Sequence, residues 1–524
     1  MNIAAFASHP NRMVGHGAAL LAGAVLPLAF APFEWRFLAF LSPAVLFILW
    51  ANSNAADTIR RSFIFGVGLF STGTYWIYYS LHLFGDAIAP LAAIITVGFV
   101  LFFSGYYALM GWVLARYFPI AAFSTGLPRL LWWTLAAPSL WTACELFRAW
   151  FLTGFPWLAL GYSQVDTPLA GYAPVLGVFG VSWLVAISAG VLAFIATHWQ
   201  SRNLLAVLAV VVFWLGGFFL NQFNWTRPAG DPISVRIVQG NIAQHHKFLA
   251  ELLKPSIAKY QSLSRIDEPV DLIVWPESAI PTFFYKIDKH LEAFTQRASA
   301  NGIRIITGGF VYNPSTSEYH NSMRALDDAN AVYHKQHLVP FGEYMPFRSV
   351  LGLLSGLITI PMADLSPGDN SDKRLEIKGY QIGASICYED AFGEELARAF
   401  PDAALLLNMS NDSWFGDSSA PHQHLEIAKM RALELQRPMV RVTNTGVSTV
   451  MDYRGKIRAL IESDESGAVD SLVTPREGRT PYSRLTNGPV IGLVLCVIFY
   501  VAWVGWRRTT RKTITQTRTN QSAN

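Results

Sequence analysis

Ionisable side chains are divided so unevenly along this 524-residue sequence that one uniform soluble fold cannot hold it. Of 40 Lys and Arg and 36 Asp and Glu, residues 1–222 hold eight Arg, no Lys and five acids (Glu34, Asp57, Asp86, Glu145 and Asp166). The remaining 302 residues carry 32 basic and 31 acidic side chains. A charge at the middle of a bilayer costs about 3 kcal/mol on insertion scales, whereas soluble surfaces are built from charges. Residues 1–222 therefore read as lipid-embedded, and most of the rest as a water-soluble domain. Apolar residues at 52% and charged residues at 15% exclude disorder, a basic nucleic-acid binder and a coiled coil. A net charge of +4 specifies no polyanionic partner. Cys144, Cys387 and Cys496 are odd in number and far apart, so they give neither a disulfide framework nor a zinc site. No metal or cofactor is expected.

About 20 apolar residues in helical form cross the hydrocarbon. Phe63–Phe84, Ile88–Leu114, Leu169–Ala196, Leu204–Leu220 and Val490–Trp506 meet that length, and Ala18–Phe33, Phe37–Ala51 and Leu130–Phe147 are weaker candidates. About eight spans are expected, seven before the soluble part and one after it. With the N-terminus in the cytoplasm, Arg12, Arg60, Arg61, Arg116, Arg129, Arg202 and the basic tail Arg507–Arg518 all fall inside, as the positive-inside rule asks. The soluble part then lies outside the cytoplasm. Ala29-Phe30-Ala31 has the form of a signal cleavage site, but Pro32 and a second apolar segment follow at once, so retention is expected. The domains are residues 1–222, 223–487, 488–507 and a polar tail, 508–524, expected to be disordered.

Within the soluble part, short β-rich runs alternate with amphipathic helices. Strands are expected at Ile233–Gln239, Leu272–Trp275, Ile303–Thr307, Ala331–Lys335, Ile382–Ile386, Ala404–Asn408, Val440–Thr443 and Ser448–Asp452. Helices are expected at His246–Ser264, Asp288–Ala300, Phe392–Ala399 and His422–Gln436. That alternation indicates a layered α/β domain. No phosphate loop, HExxH or GxSxG occurs, which leaves nucleotide, zincin and α/β-hydrolase chemistry without its defining residues.

Three polar residues close apolar strands: Glu277 after Leu272–Trp275 and Pro276, Lys335 after Val332–His334, and Cys387 after Ile382–Ile386. Ligands of α/β folds bind at such strand ends. A carboxylate there would deprotonate the thiol, and the ammonium would stabilise a tetrahedral oxyanion. Singly, each has a plainer reading: a buried small hydrophobe, a helix-start carboxylate, a surface lysine. A Cys–His pair using His334, His337, His422 or His424 is left open by spacing alone. Phe283–Tyr285 and Leu351–Ile358 are apolar without a clear period and read as lids entering lipid or as core loops.

Local strings tip this balance. Trp275-Pro276-Glu277-Ser278, Tyr333-His334-Lys335, Val339-Pro340-Phe341-Gly342-Glu343, Ser385–Asp390, Asn408–Asp412 and Arg437–Gly446 resemble, in order, the nitrilase (carbon–nitrogen hydrolase) superfamily. Pro27–Phe33, Gly66–Trp76, Glu145-Leu146-Phe147-Arg148, Thr153–Trp157 and Gly161–Gln164 extend the resemblance to the bacterial apolipoprotein N-acyltransferase family, from about residue 18 to 506. The resemblance implies an α-helical membrane bundle of eight spans plus an α/β nitrilase-like α-β-β-α sandwich on the periplasmic side of the inner membrane. It implies two steps without a cofactor: Cys387 takes an sn-1 acyl chain from a phospholipid, typically phosphatidylethanolamine, and passes it to the α-amine of a diacylglyceryl-modified apolipoprotein. By that match Glu277 is the base, Lys335 the oxyanion donor and Cys387 the nucleophile. Glu343 supports the lysine, and Tyr388 and Glu389 lie near the acceptor. The family often has Lys-Trp where this chain has Lys247-Phe248, so Phe248 keeps the aromatic surface without the indole N–H. The competing readings are a membrane-tethered amidase of the same triad and a transporter or lipid-binding scaffold.

Overall fold

The computed structural model describes residues 12–123, 126–198, 204–345, 364–369 and 375–522. The stretch Leu351–Ile358, read above as a lid or a core loop, lies outside them. The chain forms two compact units.

The first unit comprises residues 1–75, 94–222 and 487–524 and is helical. Among the described residues, Arg12–Ala29, Ala89–Tyr117, Pro168–Thr197 and Gly488–Arg507 are long and apolar enough to cross a membrane; Leu38–Ala51 and Leu204–Leu220 are apolar but shorter. The two other helices standing where spans were expected, Ala55–Gly73 and Ala137–Trp150, carry Asp57, Arg60 and Arg61, and Glu145 and Arg148. Four helices, not eight, thus meet the criterion of length and composition. Helices Arg12–Val25 and Ala55–Gly73 touch backbone to backbone at Gly23 and Gly68, where any Cβ would collide with the facing main chain. Small residues at such crossings bring helices into contact in lipid, where apolar burial alone drives little. Glu145 accepts from Trp141 Nε1 at 2.8 Å and Leu160 N at 3.0 Å, and Arg148 donates to the carbonyls of Phe155 and Trp157, so both side chains fasten the loop after their helix. The tail expected to be irregular instead continues the last helix to Ser522; after Gly505 it holds neither Gly nor Pro to stop one.

The helix expected over Phe63–Phe84 ends at Gly73, where Thr74 leaves helical geometry with φ −130°. Residues Trp76–Ala93 join the second unit with Phe223–Thr486. There Trp76 packs edge-on against Phe415 (4.8 Å between ring centres) and Ser80 Oγ donates to Trp414 O at 2.6 Å.

Two six-stranded sheets build the second unit, in the orders β13-β2-β3-β4-β5-β6 and β12-β11-β10-β9-β8-β7. The strands of the first are β2 Ile233–Gln239, β3 Leu272–Val274, β4 Arg304–Asn313, β5 Glu318–Ala325, β6 Val332–His334 and β13 Gly467–Val473. Those of the second are β7 Glu376–Ile377, β8 Tyr380–Ile386, β9 Leu405–Ser410, β10 Met439–Thr443, β11 Ser448–Met451 and β12 Ile457–Ile461. A short pair, β1 Arg227–Pro228 with β14 Arg476–Glu477, ties the ends of the unit. The centre of each sheet is parallel, β2-β3-β4 and β8-β9-β10.

Period-two alternation sorts the side chains into layers. Leu272, Val274 and Ile306 point to the core between the sheets, joined by Ile382, Ala384, Leu407 and Val440. Ile273, Trp275 and Ile305 point the other way, onto Ile257 and Tyr260 of helix Ala250–Ser264 and Ile287 and Leu291 of helix Phe284–Ala300. Helices Gly393–Ala399 and Ala420–Leu435 cover the second sheet through Leu396, Ala428 and Ala432. The result is the expected α-β-β-α sandwich. Of the apolar stretch at 283–285, Phe284 enters the core while Tyr285 is exposed and stacks on Phe283.

Candidate active site

Parallel strands aim their carboxyl ends the same way, and the polar residues that close them meet there. Cys387 follows β8 with φ +53°, a left-handed conformation that costs a non-glycine residue about 1–3 kcal/mol and persists only where surroundings impose it. Glu389 supplies that restraint. Its carboxylate accepts from Ile386 N (2.6 Å), Gln336 N (2.6 Å), His337 N (3.0 Å) and Tyr333 Oη (3.0 Å), joining the Cys387 turn to the loop after β6. Burial pushes Glu389 up to about 7, against the pull of Lys335 and the N–H donors. The Cys387 carbonyl is held at 3.3 Å by both Asn408 Nδ2 and His424 Nε2.

Lys335 follows β6 and is 1% exposed. Its Nζ lies 3.0 Å and 2.9 Å from the two Glu343 oxygens and 4.0 Å from Glu277 Oε1. Asn321 Nδ2, on β5, donates to Glu277 Oε1 at 2.8 Å and to Glu343 Oε1 at 3.1 Å, so one amide and one ammonium clamp both carboxylates. Val339 N donates to Glu343 Oε2 at 2.8 Å and fixes the far side.

Electrostatics divide the labour. Burial opposes the charge on Lys335, but Glu343 and Glu277 outweigh it and hold the ammonium firmly protonated. Burial raises Glu277 above the ordinary carboxylate value, with Lys335 pulling it back and Glu343 adding to the rise. A more basic carboxylate is a better acceptor for a thiol proton. Burial, then Glu277, pushes the Cys387 thiol well up, against Lys335 and the Ser410 hydroxyl. At rest the thiol is protonated, and its proton must leave during attack.

Three of the four histidines weighed above are engaged elsewhere. His334 Nδ1 meets Ser322 Oγ at 2.6 Å, and His337 Nδ1 meets Glu395 at 3.0 Å while its ring stacks on Phe392. His424 lies 3.0 Å from Asp412 and 2.9 Å from Asp390; burial and Arg441 oppose its charge, but these acids raise it to about 9. A histidinium facing a carbonyl is no general base for the neighbouring thiol. The Glu277 carboxylate, 4.0 Å from Lys335, acts on the thiol through its field.

The structure brings Glu277, Lys335, Glu343 and Cys387 together. Tyr388 packs edge-on against Phe392 (5.1 Å) beside them, Glu389 braces the backbone beneath, and Phe248 is 39% exposed. Two residues were missed. Asn321 sits on a strand whose polar face hides its periodicity, and Lys247 stands out in the sequence only as the neighbour of Phe248. Lys247 is buried and donates from Nζ to Glu277 O at 3.2 Å. Among the described residues, no three His, Cys, Asp or Glu side chains are grouped to hold a metal ion.

Gly308 on β4 positions the Glu277 turn. A Cβ there would stand 2.7 Å from Glu277 Cα and from Pro276 O. Gly308→Ala should displace that turn and cut the turnover of the site at least tenfold, since misplacement by about 1 Å costs up to a hundredfold. Turnover by the purified variant, at unchanged melting temperature, checks this.

Residues 22–191 match the family "Apolipoprotein N-acyltransferase N-terminal domain", and residues 234–474 match "Carbon-nitrogen hydrolase". The chain is 38% identical to apolipoprotein N-acyltransferase of Methylococcus capsulatus, over 92% of this chain and 94% of that one. It is 40% identical to the Pseudomonas paraeruginosa enzyme of that name (91% and 94% covered), and 35% identical to that of Coxiella burnetii (91% and 97%). Among solved structures, a carbon-nitrogen hydrolase from Helicobacter pylori G27 aligns with 47% of this chain and 89% of that one, at TM-score 0.31 and 18% identity.

Proposed function

The chain belongs to the apolipoprotein N-acyltransferase family, and on that premise we propose that it moves an acyl chain from a phospholipid to the N-terminal amine of lipoproteins through a thioester on Cys387. The observation that carries the reading is the buried Lys335 ammonium, 2.9 Å from Glu343 and 4.0 Å from Glu277, within electrostatic reach of the thiol.

In the first half-reaction Glu277 takes the thiol proton as sulfur attacks the sn-1 ester carbonyl. Lys335 stabilises the oxyanion, the C–O bond breaks, and the proton passes from Glu277 to the departing lysophospholipid oxygen. In the second, the α-amine of the diacylglyceryl cysteine attacks the thioester, Glu277 receives its proton, and the thiolate leaves as the amide forms. Phosphatidylethanolamine is the donor. Residues 223–487 form the catalytic domain on the periplasmic side of the bacterial inner membrane, with residues 1–222 and 488–507 spanning it and 508–524 in the cytoplasm. Support comes from the Arg placement in the sequence and from the two-chain donor, whose ester lies at headgroup depth. Glu343 holds the ammonium, and Tyr388 and Phe248 offer aromatic surface to the acceptor.

Incubating the purified chain with phosphatidylethanolamine should add one acyl mass to the Cys387 peptide, and a diacylated lipopeptide should then remove it as a triacylated product. Cys387→Ala should give neither species. Free fatty acid as the sole product would instead identify a hydrolase.

A further inference from the structure

Lys247 takes no part in the transfer steps above, yet it is buried against the residue assigned as their base. It ends the short helix Gln244–Lys247 after β2, where His245, His246 and Phe248 around it are exposed and Lys247 itself is only 3% exposed. Its Nζ donates to the main-chain oxygen of Glu277 at 3.2 Å, at the turn where Ser278 adopts φ +48°. Removing an ammonium from water costs several kcal/mol, a cost that an apolar side chain filling this space would not incur. Its distinctive contribution is a hydrogen bond to the Glu277 turn and a field that favours the ionised carboxylate before attack and the thiolate during it.

We propose that Lys247 is a positioning residue of the acyl transfer: it pins the Glu277 turn and sets a second positive charge beside the carboxylate and the thiolate. The inference rests on the roles given to Glu277 and Cys387. Among the described residues, Glu277, in the turn after β3, and Cys387, in the turn after β8, are the ionisable groups whose fields act on it most. Lys335 and Glu343 act in turn on Glu277, and Asp412 on the thiol. The two lysines differ. Lys335 is locked as a cation by two carboxylates, whereas burial brings Lys247 down to about 7 despite Glu277 and Cys387. While protonated, Lys247 keeps Glu277 ionised and eases thiolate formation. The faster form of the enzyme is therefore the one with Lys247 charged.

The test is single-turnover thioacylation of the full-length chain in detergent by phosphatidylethanolamine, from about pH 5.5 to pH 9. It compares wild type with Lys247→Met, Lys247→Arg and Glu277→Gln. Wild type should fall to a lower plateau as pH rises through about 7. Lys247→Met should run on a plateau on the order of tenfold lower throughout, the worth of a hydrogen bond to a charged group, with its acid limb at higher pH and the KM for phospholipid unchanged. Lys247→Arg, a cation at every pH used, should hold the high plateau to the alkaline end. A Met profile that overlays wild type, or an Arg variant equally slow at every pH, overturns the proposal. If the Met variant does not fold, the Arg profile decides. If Glu277→Gln keeps its rate, the base assignment fails; if it is inactive while the Met profile overlays wild type, only the role of Lys247 fails.

Discussion

Lys335→Met should abolish thioacylation, with a loss of a thousandfold or more in single-turnover rate. One component is direct: removing a single oxyanion donor costs about a hundred- to a thousandfold. The second follows from the neighbours. Methionine fills the volume but leaves Glu277 and Glu343, bridged by the same Asn321 amide, without the ammonium that now stands 4.0 Å and 2.9 Å from them. Two carboxylates sharing a buried site cannot both stay ionised, so one binds a proton near neutrality. Glu277 is already raised by burial and by Glu343, and losing Lys335 removes its main counterweight. The base is thereby lost together with the oxyanion donor. Partial recovery at alkaline pH would mark that loss, because Glu277 then ionises again. Deleting one partner of a buried ion pair also costs about 3–5 kcal/mol of stability, so melting must be followed beside activity. Intact-protein mass after incubation with phospholipid reads the outcome, and an acyl adduct formed at the wild-type rate would rule out this role for Lys335.

The residues proposed to react are legible because each closes a short apolar strand, a local pattern that needs no knowledge of the partners. Glu277, Lys335 and Cys387 could be read from Leu272–Trp275, Val332–His334 and Ile382–Ile386 alone. Their supports could not. β5 reads Glu-Tyr-His-Asn-Ser-Met-Arg-Ala, and its His320, Asn321 and Arg324 are buried, so hydropathy placed no strand there. Asn321 was lost with it. β13 closes the first sheet by pairing Gly467 with Gln239, a long-range contact without local signature. Glu389 was found in the string around Cys387, but its bracing role depends on amides from both β8 and the loop after β6. Hydropathy also ran a span through Phe63–Phe84, because Trp76, Ile77 and Leu81 are apolar whether they face lipid or protein. The break at Thr74 is conformational, and the short turns beyond it pack on Trp414 and Phe415.

Arg441→Met should be the most destabilising single change beneath the site, lowering the melting midpoint by about 10 °C, with the deficit growing as pH rises. Arg441 on β10 is fully buried. Its Nη1 donates to Asn408 Oδ1 at 2.7 Å and lies 3.2 Å from Asp390, and its Nη2 lies 2.9 Å from Asp412. His424 closes the square from the opposite side, 2.9 Å from Asp390 and 3.0 Å from Asp412. Two cations balance two anions, and all four side chains are buried, where little screens a loss. Although burial opposes it, Asp412 is held far below the ordinary carboxylate range, chiefly by Arg441 and then His424. Removing the guanidinium strands one buried negative charge, at about 3–5 kcal/mol, which corresponds to the stated shift in a domain of this size. The pH dependence comes from His424. Its folded value is about 9 against an ordinary 6.5, so its stabilisation is complete below about pH 6.5 and disappears as pH rises through 9. In wild type one cation, Arg441, still faces the two acids when that proton leaves; in the variant none does, and without Arg441 opposing its charge His424 gives up its contribution over a wider range extending to higher pH. Activity should fall as well, since Asn408 and His424, the two holders of the Cys387 carbonyl, are both tied to this square. Melting of the detergent-solubilised chain at about pH 6 and pH 9.5 separates the cases: a gap between wild type and variant that narrows at alkaline pH would mean that His424 and Arg441 do not share the load.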